Sequence, residues 1–254
     1  MLPIKDIEIH LKRELRNNKS VHSFGHLKRT AIGAKWFAKL FGCNKEEQNI
    51  AYLSGLIHDL KRPLSEKIEH SDISVREAKK ILEKFGVERD INNRILSLIK
   101  IHRGFSNESF FKQSVFLSDK ILEQMGAYLV FRRCMYIGEC LDFKNVEFGK
   151  AVVFHTSERT KKYTPDKFPE KLRVLAEYQY QWLVNFLSEF KKGKKWAIYL
   201  AKKAYDNGRT HKLLLEGFIK SFEPKFEENK RMRKEALDYI NGKKFKEFEK
   251  LIKK

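Results

Sequence analysis

Residues 46–60 read EEQNIAYLSGLIHDL, and this stretch decides the fold class. Its apolar residues recur at the three- and four-residue spacing of one helix face: Ile50, Leu53, Leu56, Ile57 and Leu60. Pro63 cannot lie inside a helix, so the helix must stop before it. The stretch therefore predicts a buried helix whose end carries the adjacent pair His58 and Asp59.

Helical periodicity continues on both sides of this stretch and predicts an all-α fold. The further amphipathic segments are HLKRTAIGAKWFAKLFG at 26–42, SVREAKKILEKFG at 74–86, INNRILSLIKIH at 91–102, a long apolar stretch at 111–139, and KLRVLAEYQYQWLVNFLSEFKKG at 171–193. The alternation in NVEFGKAVVFH allows a short hairpin near 146–155. We expect a helical bundle over residues 1–190 and a Lys-rich helical extension over residues 191–254.

The charge balance indicates an anionic partner. The chain has 254 residues, with 53 Lys and Arg against 33 Asp and Glu, a formal net charge of +20. Nucleic acid, nucleotides and anionic lipid would all be attracted to such a chain. Proteins of thermophilic organisms are also rich in charged residues such as Lys and Glu. A thermophilic source is therefore the alternative explanation of the charge. An aromatic content of 13% excludes intrinsic disorder.

The same composition predicts a compartment. The three cysteines, Cys43, Cys134 and Cys140, form no C-x-x-C pair, which is typical of a reducing compartment. The first residues are charged and lack the apolar region of a secretory signal. No run approaches the ~18 apolar residues that span a bilayer. We therefore expect a cytoplasmic, soluble protein with no membrane partner, and the sequence leaves its oligomeric state open.

Histidine and aspartate gather at the ends of the apolar segments. The residues concerned are His22, His26, His58, Asp59, His70, His102 and Asp119. Each one alone is more often a buried or helix-capping side chain than a ligand. Together they offer imidazoles and carboxylates, a donor set that suits Mn, Mg, Fe, Co or Ni better than a thiolate-rich zinc site. The sequence therefore predicts a divalent metal site.

The motifs around these residues carry a resemblance. In chain order they are HSFGHLKRT at 22–30, GLIHDLKRP at 55–63, HSDISVREAKKIL at 70–82, IKIHRGFS at 99–106 and SDKILEQMGAYLVFRRCMYIG at 118–138. They resemble the successive motifs of the HD-domain metal-dependent phosphohydrolase superfamily. The resemblance covers about residues 20–190 and is nearest to the nucleotide pyrophosphohydrolase-like HD proteins. Residues 191–254 have no counterpart in it.

The resemblance implies an activity and a ligand set. The metal ligands would be His26, His58, Asp59 and Asp119. The reaction would be cleavage of a phosphoester or phosphoanhydride bond of a nucleotide, by attack of a metal-bound hydroxide that Asp59 helps to orient. The chain departs from the first motif at Ser23, where the family usually has Asp.

The resemblance also implies histidine roles beside the metal. His70 and His102 either bind a second ion or act in acid catalysis beside a single ion, and one ion is the favoured interpretation. His22 would support the site or the mouth of the substrate pocket.

Three basic residues are candidates for holding phosphate oxygens: Lys61, Arg62 and Arg132. For Lys61 and Arg62, an ordinary solvated helix end is the alternative. The spacing after Asp119 has one residue more than usual, so Glu123 matches the family's second acid only roughly, and the alignment near Arg132 shifts with it.

Two other functions remain open. The same site could belong to a nuclease or phosphodiesterase acting on nucleic acid or cyclic nucleotides, which the positive charge and the Lys-rich extension favour. A degenerate domain that only binds nucleic acid is the third hypothesis. The chain keeps all four expected ligands, which speaks against it.

Overall fold

The computed structural model describes residues 2–65, 71–102, 104, 109–122 and 125–252. The described residues form α-helices and short 3₁₀ turns without a strand, so the all-α prediction is confirmed. The α-helices are α1 (Ile4–Glu14), α2 (Phe24–Leu40), α3 (Lys45–Ile57), α4 (Ser71–Lys84), α5 (Arg89–Lys100), α6 (Phe110–Lys120), α7 (Gly126–Glu139), α8 (Phe148–Lys162), α9 (Arg173–Lys191), α10 (Lys195–Thr210), α11 (Leu215–Ser221), α12 (Glu227–Ile240) and α13 (Lys243–Ile252). None of these helices is both long and apolar enough to cross a bilayer.

Contacts divide the chain into two compact units. The first comprises Met1–Asn18 and His22–Glu123, and the second comprises Lys19–Val21 and Gln124–Lys254. The boundary predicted at residue 190, between the helical bundle and the Lys-rich extension, stays a prediction.

Close helix crossings organise the first unit. Helix α2 packs against α3 and α6, and α5 packs against α3 and α4. Gly55 lets α3 approach the α2 backbone, because a Cβ placed on it would lie 2.8 Å from the Cα of Ala31. Gly33 allows α2 to pack closely against α6, because a Cβ there would overlap with the Ser118 hydroxyl. The two glycines bring together three helices whose ends carry predicted ligands.

Helix α3 is well defined at both ends. The Asn44 side chain accepts a hydrogen bond from the Glu47 backbone N–H at 3.0 Å, and the Glu47 carboxylate accepts one from the Asn44 N–H at 3.0 Å. This reciprocal pair is a capping box. The helix ends at Ile57, and His58 and Asp59 follow immediately in a turn before Pro63. The predicted helix is confirmed, with its pair of polar residues just beyond the end.

Helix α7 is central to the second unit, where α9, α10 and α12 all pack against it. The contact of α7 with α10 is a backbone-to-backbone crossing at two glycines. A Cβ on Gly208 would collide with the carbonyl oxygen of Met135, and one on Gly138 with that of Tyr205. Helices from the Lys-rich residues 191–254 therefore share a core with α7.

Glu139, at the end of α7, anchors the short segment Lys19–Val21. Its carboxylate accepts hydrogen bonds from the Ser20 hydroxyl at 2.8 Å and from the Val21 N–H at 2.9 Å. Burial raises the pKa of Glu139 to about 7, although these hydrogen bonds and the nearby Arg132 oppose the shift.

The hairpin predicted near 146–155 is wrong, because this segment is the first half of α8. Glu147 caps the helix by accepting a hydrogen bond from the Gly149 N–H at 2.9 Å. The buried residues follow a helical spacing: Ala151, Val152, His155, Thr156 and Arg159. The alternation lies in Val146, Glu147 and Phe148 at the start of the segment, and the exposed apolar Phe154 hides the helical spacing of the buried residues.

Candidate metal centre

The predicted ligands lie at helix ends in the first unit. His26 is in the first turn of α2, after the N-cap Ser23. His58 and Asp59 follow α3, and Asp119 is in the last turn of α6. The apolar faces of these helices pack into one core. The polar residues at the helix ends lie beside that core. His26 and His58 are fully buried, and Asp59 and Asp119 are each only 2% exposed.

The donor atoms of these residues converge. His26 Nε2 lies 3.7 Å from Asp119 Oδ1 and 3.9 Å from Asp59 Oδ2. His58 Nε2 lies 3.6 Å from Asp59 Oδ2. Two donors that share an ion at ~2.1 Å stand ~3–4 Å apart, so each of these pairs is spaced as ligands of a shared ion would be. The donor set of imidazole nitrogens and carboxylate oxygens therefore fits a divalent cation in both spacing and chemistry.

His102 joins the same cluster, immediately after α5. It is fully buried, and its Nε2 lies 3.6 Å from Asp59 Oδ1. Its ring packs edge-on to His58, with centroids 5.1 Å apart. Two overlapping groups of donors lie within 4.8 Å of one another: His26, His58 and Asp119, and His58, Asp59 and His102. Asp59 therefore has His102 at one carboxylate oxygen and both His58 and His26 at the other.

Backbone contacts fix which ring nitrogen is available. His58 Nδ1 lies 2.9 Å from the Gly55 carbonyl oxygen, to which it donates its proton, and His102 Nδ1 makes the equivalent contact with Ile99. In both rings this leaves the Nε2 lone pair facing the cluster. Among the residues that the structure describes, His58 Nε2 has no hydrogen-bond partner despite its complete burial. Such an orphaned acceptor is what a metal ligand needs.

Protonation states favour cation binding as well. Burial lowers the pKa of His58 to about 3, with the nearby His102 adding to the shift, so the ring is neutral at physiological pH. Burial opposes ionisation of Asp59, but the nearby Arg62 guanidinium helps to hold the pKa of this carboxyl well below its ordinary value. The site therefore offers the neutral imidazole of His58 and the charged carboxylates of Asp59 and Asp119, the forms that bind metals.

Two cations flank the carboxylates. Arg62 Nη1 lies 3.2 Å from Asp59 Oδ2. The Lys120 ammonium contacts the carboxylate of Asp119 and is itself buried. Burial opposes ionisation of Asp119 too, and Lys120 is the main group that holds its pKa well below the ordinary value. Lys120 was missed by sequence reasoning, although its place directly after the last ligand in SDKIL was the available signal.

The remaining predicted residues have varied surroundings. The ring of His22 packs edge-on to that of His26, with centroids 5.4 Å apart. Lys61 is exposed, and its Nζ pairs with Glu77 at 3.1 Å, so no described contact links it to the cluster. Arg132 is buried on α7, in the second unit. The role of each in substrate binding stays a prediction. His70 and Glu123 lie outside the described residues.

Comparisons with known proteins agree with this site. Residues 23–133 match the HD domain family, and this range includes His26, His58, Asp59, His102 and Asp119. No curated protein matches the chain. Among solved structures the chain resembles Bacillus subtilis YpgQ, whose crystal structure was determined in complex with ADP. The TM-score is 0.50 and the sequence identity 16%, over 75% of this chain and 99% of that one. At this identity the likeness concerns the fold.

Proposed function

We propose that the chain is a metal-dependent phosphohydrolase that cleaves a phosphoester or phosphoanhydride bond of a nucleotide, and the HD domain match at residues 23–133 supports this. One observation carries the proposal. Imidazole and carboxylate groups converge in a buried cluster, with the Nε2 of His58 left without a hydrogen-bond partner among the described residues. A purely structural cluster would satisfy that buried nitrogen from within the protein.

The ligands of the metal would be His26, His58, Asp59 and Asp119. Two carboxylates and two neutral imidazoles balance the charge of one divalent ion, which can be Mn, Mg, Fe, Co or Ni on ligand chemistry. When bound, the ion would polarise the phosphoryl group and lower the pKa of a coordinated water. The alternative is a second ion, which His102 and His70 would bind.

The protein's own groups have distinct tasks in this proposal. Asp59 would orient the attacking water, since Arg62 at 3.2 Å and His102 at 3.6 Å restrain its carboxylate from two sides. His102 would exchange a proton with the leaving group through Nε2, because its Nδ1 is engaged by the Ile99 carbonyl. His22 would steady the ring of His26.

Cations beside the cluster support phosphate chemistry. Phosphoryl transfer depends on positioning and on neutralising the charge of the phosphate oxygens. Lys120 contacts the carboxylate of Asp119, and Arg62 contacts that of Asp59. Both cations are therefore close enough to reach a phosphate bound at the proposed metal. They would turn part of their hydrogen bonding toward a phosphate once the metal neutralises the carboxylates. Lys61 and Arg132 remain candidates for the same task.

A nucleotide is the proposed substrate class. Its support is the ADP bound in the YpgQ crystal structure, a protein similar to this chain in fold. Nucleic acid is the second candidate, favoured by residues 191–254, which hold 20 Lys and Arg against nine Asp and Glu. A nuclease or a cyclic-nucleotide phosphodiesterase would use the same centre. We propose a cytoplasmic location for either activity.

The test is release of phosphate and pyrophosphate from a panel of nucleotides, cyclic nucleotides and short single-stranded oligonucleotides. Metal-free protein would be supplied in turn with Mn, Mg, Co and Ni, with EDTA as the blank. The Asp59→Asn variant removes one charge at the cluster, and Asp90→Asn makes the same change at an exposed carboxylate on α5. We expect turnover of a mononucleotide by the wild type and Asp90→Asn, and none by Asp59→Asn.

Each other outcome has a clear meaning. Cleavage of oligonucleotides alone would replace the nucleotide proposal with the nuclease. Turnover that survives in Asp59→Asn would separate the activity from this cluster. No turnover with any metal on any member of the panel would contradict a phosphohydrolase acting on these classes.

A further inference from the structure

A surface groove in the second unit lies along α9. It has a volume of about 1170 Å³ and follows α9 for most of its length, between α12 and Leu251 of α13. The volume exceeds the ~300–1,000 Å³ of an ordinary small-molecule pocket. Its shape along one helix instead suits a second helix.

The groove combines apolar surface with a charged edge. Val174 and Leu251 are both 41% exposed, although they are large apolar residues. Tyr178 and Trp182 are half-buried beside them, and the guanidinium of Arg231 lies 5.7 Å from the centre of the Trp182 ring. Apolar groups bounded by polar ones in this manner are typical of protein–protein contacts.

The outermost row of α9 is self-complementary. Every fourth residue forms one ridge along the groove: Arg173, Glu177, Gln181, Asn185 and Glu189. The first four are exposed, and Glu189 is half-buried. The ridge has a positive end at Arg173, a negative end at Glu189 and a neutral Gln181 at its centre. Turned end for end, it therefore places opposite charges together.

We propose that this ridge is the contact surface of a homodimer, with α9 of one copy packed antiparallel against α9 of another. Rows spaced by four residues pack side by side at a helix crossing of ~50°, the commonest class of helix packing. A twofold axis at Gln181 then pairs Arg173 with the second copy's Glu189 and Glu177 with its Asn185. The interface is isologous, so each of these contacts occurs twice.

Present contacts of the ridge are compatible with this use. Glu189 Oε1 pairs with Lys192 at 3.0 Å, and Gln181 donates a hydrogen bond to Glu177. Both partners stand on the same exposed helix surface, where such contacts contribute little to stability. They can be exchanged for contacts across the dimer at little cost.

Disulfide trapping in the full chain tests the geometry. Gln181→Cys places a thiol on the proposed axis, so mild oxidation should give a covalent dimer on a non-reducing gel. Asn185→Cys and Glu177→Cys lie off the axis and should cross-link efficiently only when the two variant proteins are mixed. The wild type, whose Cys134 and Cys140 are buried and whose Cys43 is half-buried, is the control for adventitious disulfides.

Charge reversal tests the energetics by sedimentation. Arg173→Glu and Glu189→Arg should each raise the dimer dissociation constant by about tenfold, because each turns two attractive contacts into repulsive ones. The double variant should recover most of the lost affinity. A wild type that stays monomeric at all concentrations would overturn the proposal and leave the groove to another occupant. A dimer that ignores Arg173→Glu and does not cross-link through position 181 would place the interface elsewhere.

Discussion

Gly55→Ala tests how the packing of α2 against α3 positions the candidate metal centre. The added Cβ would lie 2.8 Å from the Cα of Ala31, and 2.9 Å from its backbone nitrogen and from the Thr30 carbonyl oxygen. Ordinary contacts begin near 3.4 Å, so α2 and α3 must separate by more than half an ångström. All three neighbours are backbone atoms that cannot rotate away. We therefore expect a loss of about 2–3 kcal/mol in the free energy of unfolding, the upper range for overpacking.

The same substitution should weaken metal binding. His58 follows Gly55 by less than one turn, and His26 lies on the α2 segment that must move. A displacement approaching 1 Å at one ligand costs on the order of tenfold or more in affinity or activity. Denaturant unfolding of metal-free protein would measure the stability loss, and calorimetric titration with Mn²⁺ would measure the affinity.

Gly217→Ala is the matched control. Gly217 lies within α11, and a Cβ there meets nothing within 4 Å. Because Ala favours a helix, this variant should gain about 0.5–1 kcal/mol and bind Mn²⁺ as the wild type does. If Gly55→Ala were as stable as the wild type, the close contact of α2 with α3 would be refuted. If it lost stability but bound Mn²⁺ normally, the crossing would not position the ligands.

Three further predictions concern single side chains. Asn44→Ala should cost about 1 kcal/mol in unfolding free energy, since it removes half of the capping box of α3; an unchanged denaturation midpoint would contradict this. The pKa of Glu139 is raised from 4.5 to about 7, so between these pH values the unfolded chain releases a proton that the folded chain keeps. Wild-type stability relative to Glu139→Gln should therefore fall by about 3 kcal/mol as the pH rises from 4.5 to above 7, and parallel pH profiles of the two proteins would count against it. Lys120→Met should destabilise the metal-free protein by about 3 kcal/mol, because it leaves the buried Asp119 without its nearest cation, and Mn²⁺ should restore most of the loss; unfolding curves in EDTA and in Mn²⁺ that shift equally would argue against it.

The periodicity of apolar residues was enough to predict the helices. It located α3 and its stop before Pro63, because a buried helix and a proline leave strong local signals. It misread the start of α8, where Val146 and Phe148 alternate with polar residues and the exposed Phe154 hides the helical spacing. Tertiary packing determines the conformation of this segment, and the sequence alone does not show which elements pack against it.

The crossings that shape the site could not be predicted. Gly55 and Gly208 lie inside helices, where local propensity marks glycine only as a weak helix former. These glycines matter because the backbone of a second helix occupies the space that a side chain would fill. Sequence reasoning therefore found the helices but not the contacts that set their separation.

The cluster of candidate ligands was predictable from the order of the motifs. His26, His58, Asp59 and Asp119 were chosen from that order, and the structure brings all four together. Lys120 was not chosen, because a lysine at a helix end is ordinarily solvated and only the packing of α6 shows that it is buried.

Calorimetric titration of metal-free protein with Mn²⁺ tests whether the buried His and Asp cluster binds a metal. We predict one tightly bound ion per chain for the wild type and for Asp90→Asn, whose altered carboxylate is exposed. Asp119→Asn, which makes the same change at a buried candidate ligand, should lose at least about a hundredfold in affinity. Equal binding by all three proteins, or no binding by the wild type, would contradict the assignment of this cluster as a metal centre.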